Sequence, residues 1–239
     1  MTEEKKRPFR RLAVRASAEL GVIILGVTLA LWTDGWVARR NDRAVESARL
    51  RSLSENIERS LIALRAEKED ADSAGAALRR LASGNPGWSS EEARTALLRG
   101  FLYVTVFRPE LNVYEDLKNS GELSLLRDAE LRRSLSALDG RLQQLQLLQE
   151  DMITVQQLNL DPYLIRRIDL LPVLGVSLAV GNGTDVQLRD LTFLTEPEFR
   201  NLVLFKLDLV ELMRGEIAEV EEALLAAEHA ISAQVRRTG

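Results

Sequence analysis

The sequence predicts an all-α protein: an N-terminal transmembrane helix continuing into an elongated antiparallel helical bundle. Three observations carry this. The first is one long apolar stretch, Ala18 to Trp36, between basic flanks. The second is heptad leucine patterning in three later segments. The third is a composition of 46% hydrophobic and 28% charged residues, with few Gly, Pro and aromatics, which suits helix over strand.

The chain divides into 1–17, a basic tail, 18–36, the transmembrane helix, and 37–239, the bundle domain. Leu20 to Trp32 holds no charge. Ala18 to Trp36 gives roughly 28 Å of helix, close to the ~30 Å hydrocarbon core of a bilayer. Glu19 and Asp34 then fall at the boundaries, and Trp32 and Trp36 are interface anchors. A buried soluble helix would not explain Lys5, Lys6, Arg7, Arg10, Arg11 and Arg15 ahead of the stretch. A cleaved signal peptide would need small residues where Trp32-Thr33-Asp34-Gly35-Trp36 stands. Basic residues flank both sides, but a short tail with six positive charges resists translocation. The expected topology is a bacterial inner membrane protein, single-pass, with a cytoplasmic N-terminus and the C-terminal domain periplasmic or extracytoplasmic.

Glu19, Ile23, Gly26, Ala30 and Thr33 recur at steps of four and three, one stripe of the span. Small residues there let another helix approach, and polar ones bond across. The stripe reads as an association face, for self-pairing or for another membrane protein. Ordinary span composition, with Glu19 among the headgroups beside Arg15, is the favoured explanation of the two.

In the bundle domain, Leu50, Ile57, Leu64, Ala71 and Leu78 repeat at seven, with Leu53, Ala74 and Leu81 beside them. Ser60 and Glu67 interrupt the companion series. Ser83 to Gly87 is turn chemistry. Ser89 and Glu92 form a capping box for a helix from Ser90 to about Tyr103, ended by Arg108-Pro109. Asn112 to Ser120 reads as a short helix stopped by Gly121. A long helix opens near Asp128, with Leu131, Leu135, Leu138, Leu142, Leu145 and Met152 as its seam, Leu148 and Val155 widening it, and Pro162 at its end. A last helix, opened by a Thr195/Glu198 capping box with Pro197 in the first turn, carries Val203, Val210, Ile217, Leu224 and Ile231. Phe199, Met213, Val220 and Ala227 accompany them. Three amphipathic helices of this length bury their stripes as an antiparallel bundle. Between Leu171 and Leu191 a small β-hairpin at 173–188 and an ordered loop are equally suited: Val176, Leu178 and Val180 alternate before Gly181-Asn182-Gly183.

Two segments resemble a bacterial family of single-pass membrane proteins known only as a domain of unknown function. The first is the span, through Glu19, Leu20, Leu25, Gly26, Val27, Leu29, Ala30, Leu31, Asp34 and Trp36. Ala18 stands where that family has Gly. The second is Tyr114-x-x-Leu117-x-x-Ser120-Gly121-x-Leu123, followed by the helix opening Asp128 to Arg132. Together they cover about fifty residues. The resemblance implies a topology and no activity.

Chemistry is sparse. The chain has no Cys, which removes disulfides, thiolate metal sites and cysteine nucleophiles. His229 is the only histidine. Net charge of −4 provides no field for nucleic acid, and no such partner is expected. Gly181 to Asp185 looks like one calcium β-roll turn, but such turns need neighbours to stack on. Glu216, Glu219, Glu221 and Glu222 suit a solvated helix face better than a cation site. The expectation is therefore no catalytic residue, metal or cofactor. The partners expected are membrane lipid and a helix. The best candidate functional corner is Arg108, Tyr114, Ser120 and Gly121, whose other reading is a structural corner. The expected function is a non-catalytic scaffold, assembly or sensory module. The alternative is a membrane-tethered enzyme or ligand-binding sensory bundle with a site near 108–123.

Overall fold

A computed structural model describes residues 7–84, 87–121, 123, 126, 128–174, 188 and 190–238. Within the first helix it describes the side chains of Leu29 and Trp32 and those from Val45 onward. Every described element is helical: α1 (Arg7–Ala82), α2 (Ser90–Ala96), α3 (Asn112–Asn119), α4 (Ala129–Val155), α5 (Asp161–Arg167), α6 (Leu170–Leu174) and α7 (Pro197–Thr238). Two π-helical turns, Leu97–Phe101 and Gln156–Leu160, follow α2 and α4, and a 3₁₀ turn, Thr192–Thr195, precedes α7. The all-α class is as the sequence predicts.

The chain forms two compact units, one up to Leu50 and one from Arg51 to Arg237. In the first, α1 is helical from Arg7, and its described apolar side chains Leu29 and Trp32 are 53% and 64% exposed. Among the described residues no helix is long and apolar enough to cross a membrane. The other side chains of 18–36 lie outside the described set.

The second unit is the bundle. Its seams are those the heptads mark. Leu53, Ile57, Leu64, Ala71, Leu78 and Leu81 of α1 are buried, as are Leu131, Leu135, Leu138, Leu145 and Met152 of α4. On α7 the buried residues are Phe199, Val203, Val210, Met213, Ile217, Val220, Leu224, Ala227 and Ile231. Ion pairs give the directions. Arg65 and Lys68 meet Glu221, Asp72 meets Arg214, and Arg79 meets Glu211, so α1 and α7 are antiparallel. Arg141 meets Glu219 and Asp128 meets Arg237, so α4 is antiparallel to α7 as well.

Local signals behave as their chemistry requires. The Ser89–Glu92 capping box is present in both directions. The Asp128 carboxylate caps α4 by accepting from the amides of Glu130 and Leu131. Gly84 and Gly121 end α1 and α3 at positive φ, 60° and 73°.

Four expectations are corrected. Pro162 does not end the α4 segment. The π turn at Gln156–Leu160 resets the register, and Pro162 then sits in the first turn of α5, where its missing N–H is no loss. Thr195 does not cap α7, because its hydroxyl donates to the Thr192 carbonyl within the 3₁₀ turn and Glu196 intervenes before Pro197. Leu148 and Val155 are only half-buried, and the buried positions beside the seam are Gln149 of α4 and Gln156 of the π turn. Val173 and Leu174, assigned to the hairpin at 173–188, are helical in α6. Residues 175–187 lie outside the described residues.

Candidate functional site

The corner at 108–123 is built as a structural joint. Tyr114 and Leu117 of α3 are buried. Loss of hydration, then the Asp139 charge, raises the Tyr114 phenol, against the opposing Lys118. The Lys118 ammonium stands 6.0 Å from the Tyr114 ring and pairs with Asp139 of α4 at 2.7 Å, which raises its own pKa. Ser120 is exposed, its hydroxyl 3.4 Å from the Leu117 carbonyl, and Arg108 is exposed. No described hydrogen bond or ion pair joins Arg108, Tyr114 and Ser120 to one another.

The segment leading to this corner is laced to α1. The Tyr103 hydroxyl donates to Glu67 Oε1 at 2.6 Å, the Glu110 amide to Ser60 Oγ at 2.9 Å, and the Val113 amide to Asn56 Oδ1 at 3.2 Å. Burial and the Glu67 carboxylate hold the Tyr103 phenol protonated. Numbers fall along α1 as they rise along the segment, so it runs antiparallel to the helix. Ser60 and Glu67, which interrupt the apolar seam in the sequence, are thus the partners of the part-buried Glu110 amide and Tyr103 phenol.

Of the proposed association face, the side chains of Glu19, Ile23, Gly26, Ala30 and Thr33 lie outside the described residues, as does that of the anchor Trp36. The acidic cluster of α7 is not simply a solvated face: Glu221 pairs with Arg65 and Lys68 at 3.0 Å each, and Glu216 and Glu219 pair with Arg141 at 3.8 and 2.8 Å. Those carboxylates stitch helices together. Among the described residues no three His, Asp or Glu side chains converge to hold a metal ion.

The most unusual chemistry lies where α4 passes into α5. Lys206 of α7 is 0% exposed. It occupies the heptad slot between Phe199 and Met213, both buried, so a charged group stands in an apolar stripe. Its Nζ donates to Gln156 Oε1 at 2.9 Å, and Gln156 Nε2 donates to Asp161 Oδ1 at 2.6 Å. Burial pulls the Lys206 amine down to about 8, against the opposing Asp161 charge. Gln156 and Asp161 bracket the second π turn.

One heptad back, Phe199 collects aromatic rings: Phe101, the last residue of the first π turn, at 5.2 Å, Tyr163 of α5 at 6.0 Å, and Phe193 edge-on at 5.2 Å. Tyr163 donates to Glu196 at 3.3 Å, and Arg167 pairs with the same carboxylate. Burial, then the Glu196 charge, pushes the Tyr163 phenol up to about 12. Both π turns therefore meet the start of α7, and π turns are frequent at functional sites. Lys206 is not among the candidate residues that the sequence marks. Its signal was the series Phe199, Met213, Val220, Ala227, whose second slot it fills. No protein-family model, curated protein or solved structure matches the chain.

Proposed function

We propose that the chain is a membrane-anchored helical module acting through helix–helix contacts rather than by catalysis. Ala18–Trp36 spans a bacterial inner membrane, with the N-terminus in the cytoplasm and the bundle on the periplasmic side. The observation that carries this reading is the apolar stretch Ala18–Trp36 between basic flanks, which precedes the bundle's Leu53–Leu81 seam in the chain. Exposed Leu29 and Trp32 on α1 suit lipid contact, and the resemblance to single-pass proteins agrees. A signal from the bundle would pass to a partner through Glu19, Gly26 and Ala30.

The test is crosslinking and co-purification from membranes with wild type, Gly26→Leu and Glu19→Gln. Changed partners are the expected outcome. Identical recovery from all three chains removes the association face. A reporter fused after residue 60 tests orientation, and activity of a cytosol-only reporter there reverses it.

A further inference from the structure

We propose that the α4–α5 junction is a proton-sensitive latch, held shut over the buried Lys206 amine and opened more readily on the acid side, because opening lets that amine bind its proton more tightly. The proposal stands on the bundle alone and does not depend on the membrane reading. Lys206 is fully buried in an apolar stripe, and the described residues give its three N–H donors one acceptor, Gln156 Oε1. An ammonium in that setting is poorly solvated, whereas a neutral amine tolerates it. Among the described residues, Asp161 on α5 is the charge acting on it. Arg200 and Asp208, its neighbours along α7, are exposed, as are Glu150 and Asp151 on α4. What Lys206 holds, through Gln156 and Asp161, is the π turn between α4 and α5. A π turn gives an existing break in the helical ladder, at which local opening is less costly than melting α7.

The sign follows from linkage. Opening wets the amine and returns it from about 8 towards its ordinary 10.5, so opening takes up a proton. The open fraction is therefore largest on the acid side of this window, and falls roughly tenfold between pH 7 and pH 9.

Hydrogen exchange on the full chain in detergent, corrected for intrinsic base catalysis, reads this directly. Amides from Gln156 to Leu164 are expected to gain about tenfold in protection from pH 7 to pH 9. Lys206→Met is expected to abolish the gain, with Lys206→Gln as a second chain should the first not fold. Asp161→Asn is expected to move the response to lower pH. Flat protection in wild type, or an unchanged response in Lys206→Met, overturns the latch. So does an equal response across Met213–Ile231, which would report whole-bundle unfolding.

Discussion

At the scale of single residues, two positions set the character of the bundle's core. Lys206 lowers stability at neutral pH. Its folded pKa of about 8 lies below the ordinary 10.5, so the unfolded chain binds the proton more tightly. The penalty is full below pH 8, shrinks as pH rises to 10.5 and vanishes above. Its size is on the order of 3 kcal/mol. Lys206→Met should therefore stabilise the chain at pH 7 by about 1–3 kcal/mol, less the cost of leaving Gln156 Oε1 without its donor. Urea titrations at pH 7 and 10 check this, the gain shrinking at the higher pH. Gly100 is the opposite case. A Cβ built there meets Leu78 Cγ at 3.0 Å, Ala77 Cβ at 3.1 Å and the Leu78 backbone nitrogen at 3.1 Å. The first π turn thus lies directly on α1, and backbone atoms cannot swing aside as a side-chain end can. Gly100→Ala should destabilise by about 1–3 kcal/mol, read as a lower urea midpoint at unchanged slope. Neither residue was legible as special. Lys206 hid because heptad reading scores the slots that fit, and Gly100 because close approach between distant segments leaves no local pattern.

At the scale of elements, the caps and charge stitches decide where helices start and how they align. Asp128 serves α4 twice: it accepts two backbone amides, which with the Arg237 charge lowers its pKa, and it ties the start of α4 to the end of α7. Asp128→Ala should cost about 1 kcal/mol at pH 7 from the cap. A carboxylate lowered on folding stabilises above its ordinary 3.8 and loses that contribution as pH falls through the folded value, so mutant and wild type should converge once the pH lies below that folded value. Glu221 differs in kind. It joins α7 to two cations on α1, and both cations are substantially exposed. Glu221→Gln should cost only about 0.5–1 kcal/mol, and most of the difference should disappear in 1 M salt, as screening shortens the reach of exposed charges. Starts and stops with local chemistry, at Ser89, Asp128 and Gly121, were legible because capping is a contact between near neighbours in sequence. The π turns were not. Phe101, in the first, and Tyr163, three residues past the second, both stack on Phe199, a long-range contact that no short-range pattern encodes.

At the scale of the molecule, the core's own burial separates the bundle from the apolar stretch before it. Leu53 to Leu81, Leu131 to Met152 and Phe199 to Ile231 lie wholly within Arg51–Arg237, as do the lacing bonds from Asn56, Ser60 and Glu67 and the interhelical ion pairs from Arg65 to Arg79. None of these needs residues 1–36. Each fully buried leucine or isoleucine on the three seams contributes about 1.5–3 kcal/mol, and the seams lie within Arg51–Arg237. A chain starting at residue 37 should therefore keep its helical circular dichroism and a cooperative urea transition. If Ala18–Trp36 is what holds the protein to lipid, the same chain should leave the sedimented membranes and stay in aqueous solution, while the full chain requires detergent. A residue 37–239 chain that folds and still sediments with vesicles would move the membrane contact onto the bundle's own exposed apolar positions, such as Leu158 and Ile165, 70% and 68% exposed. A full chain that stays soluble without detergent would remove the anchor altogether and leave the helical bundle, with its buried lysine, as the whole of the functional problem.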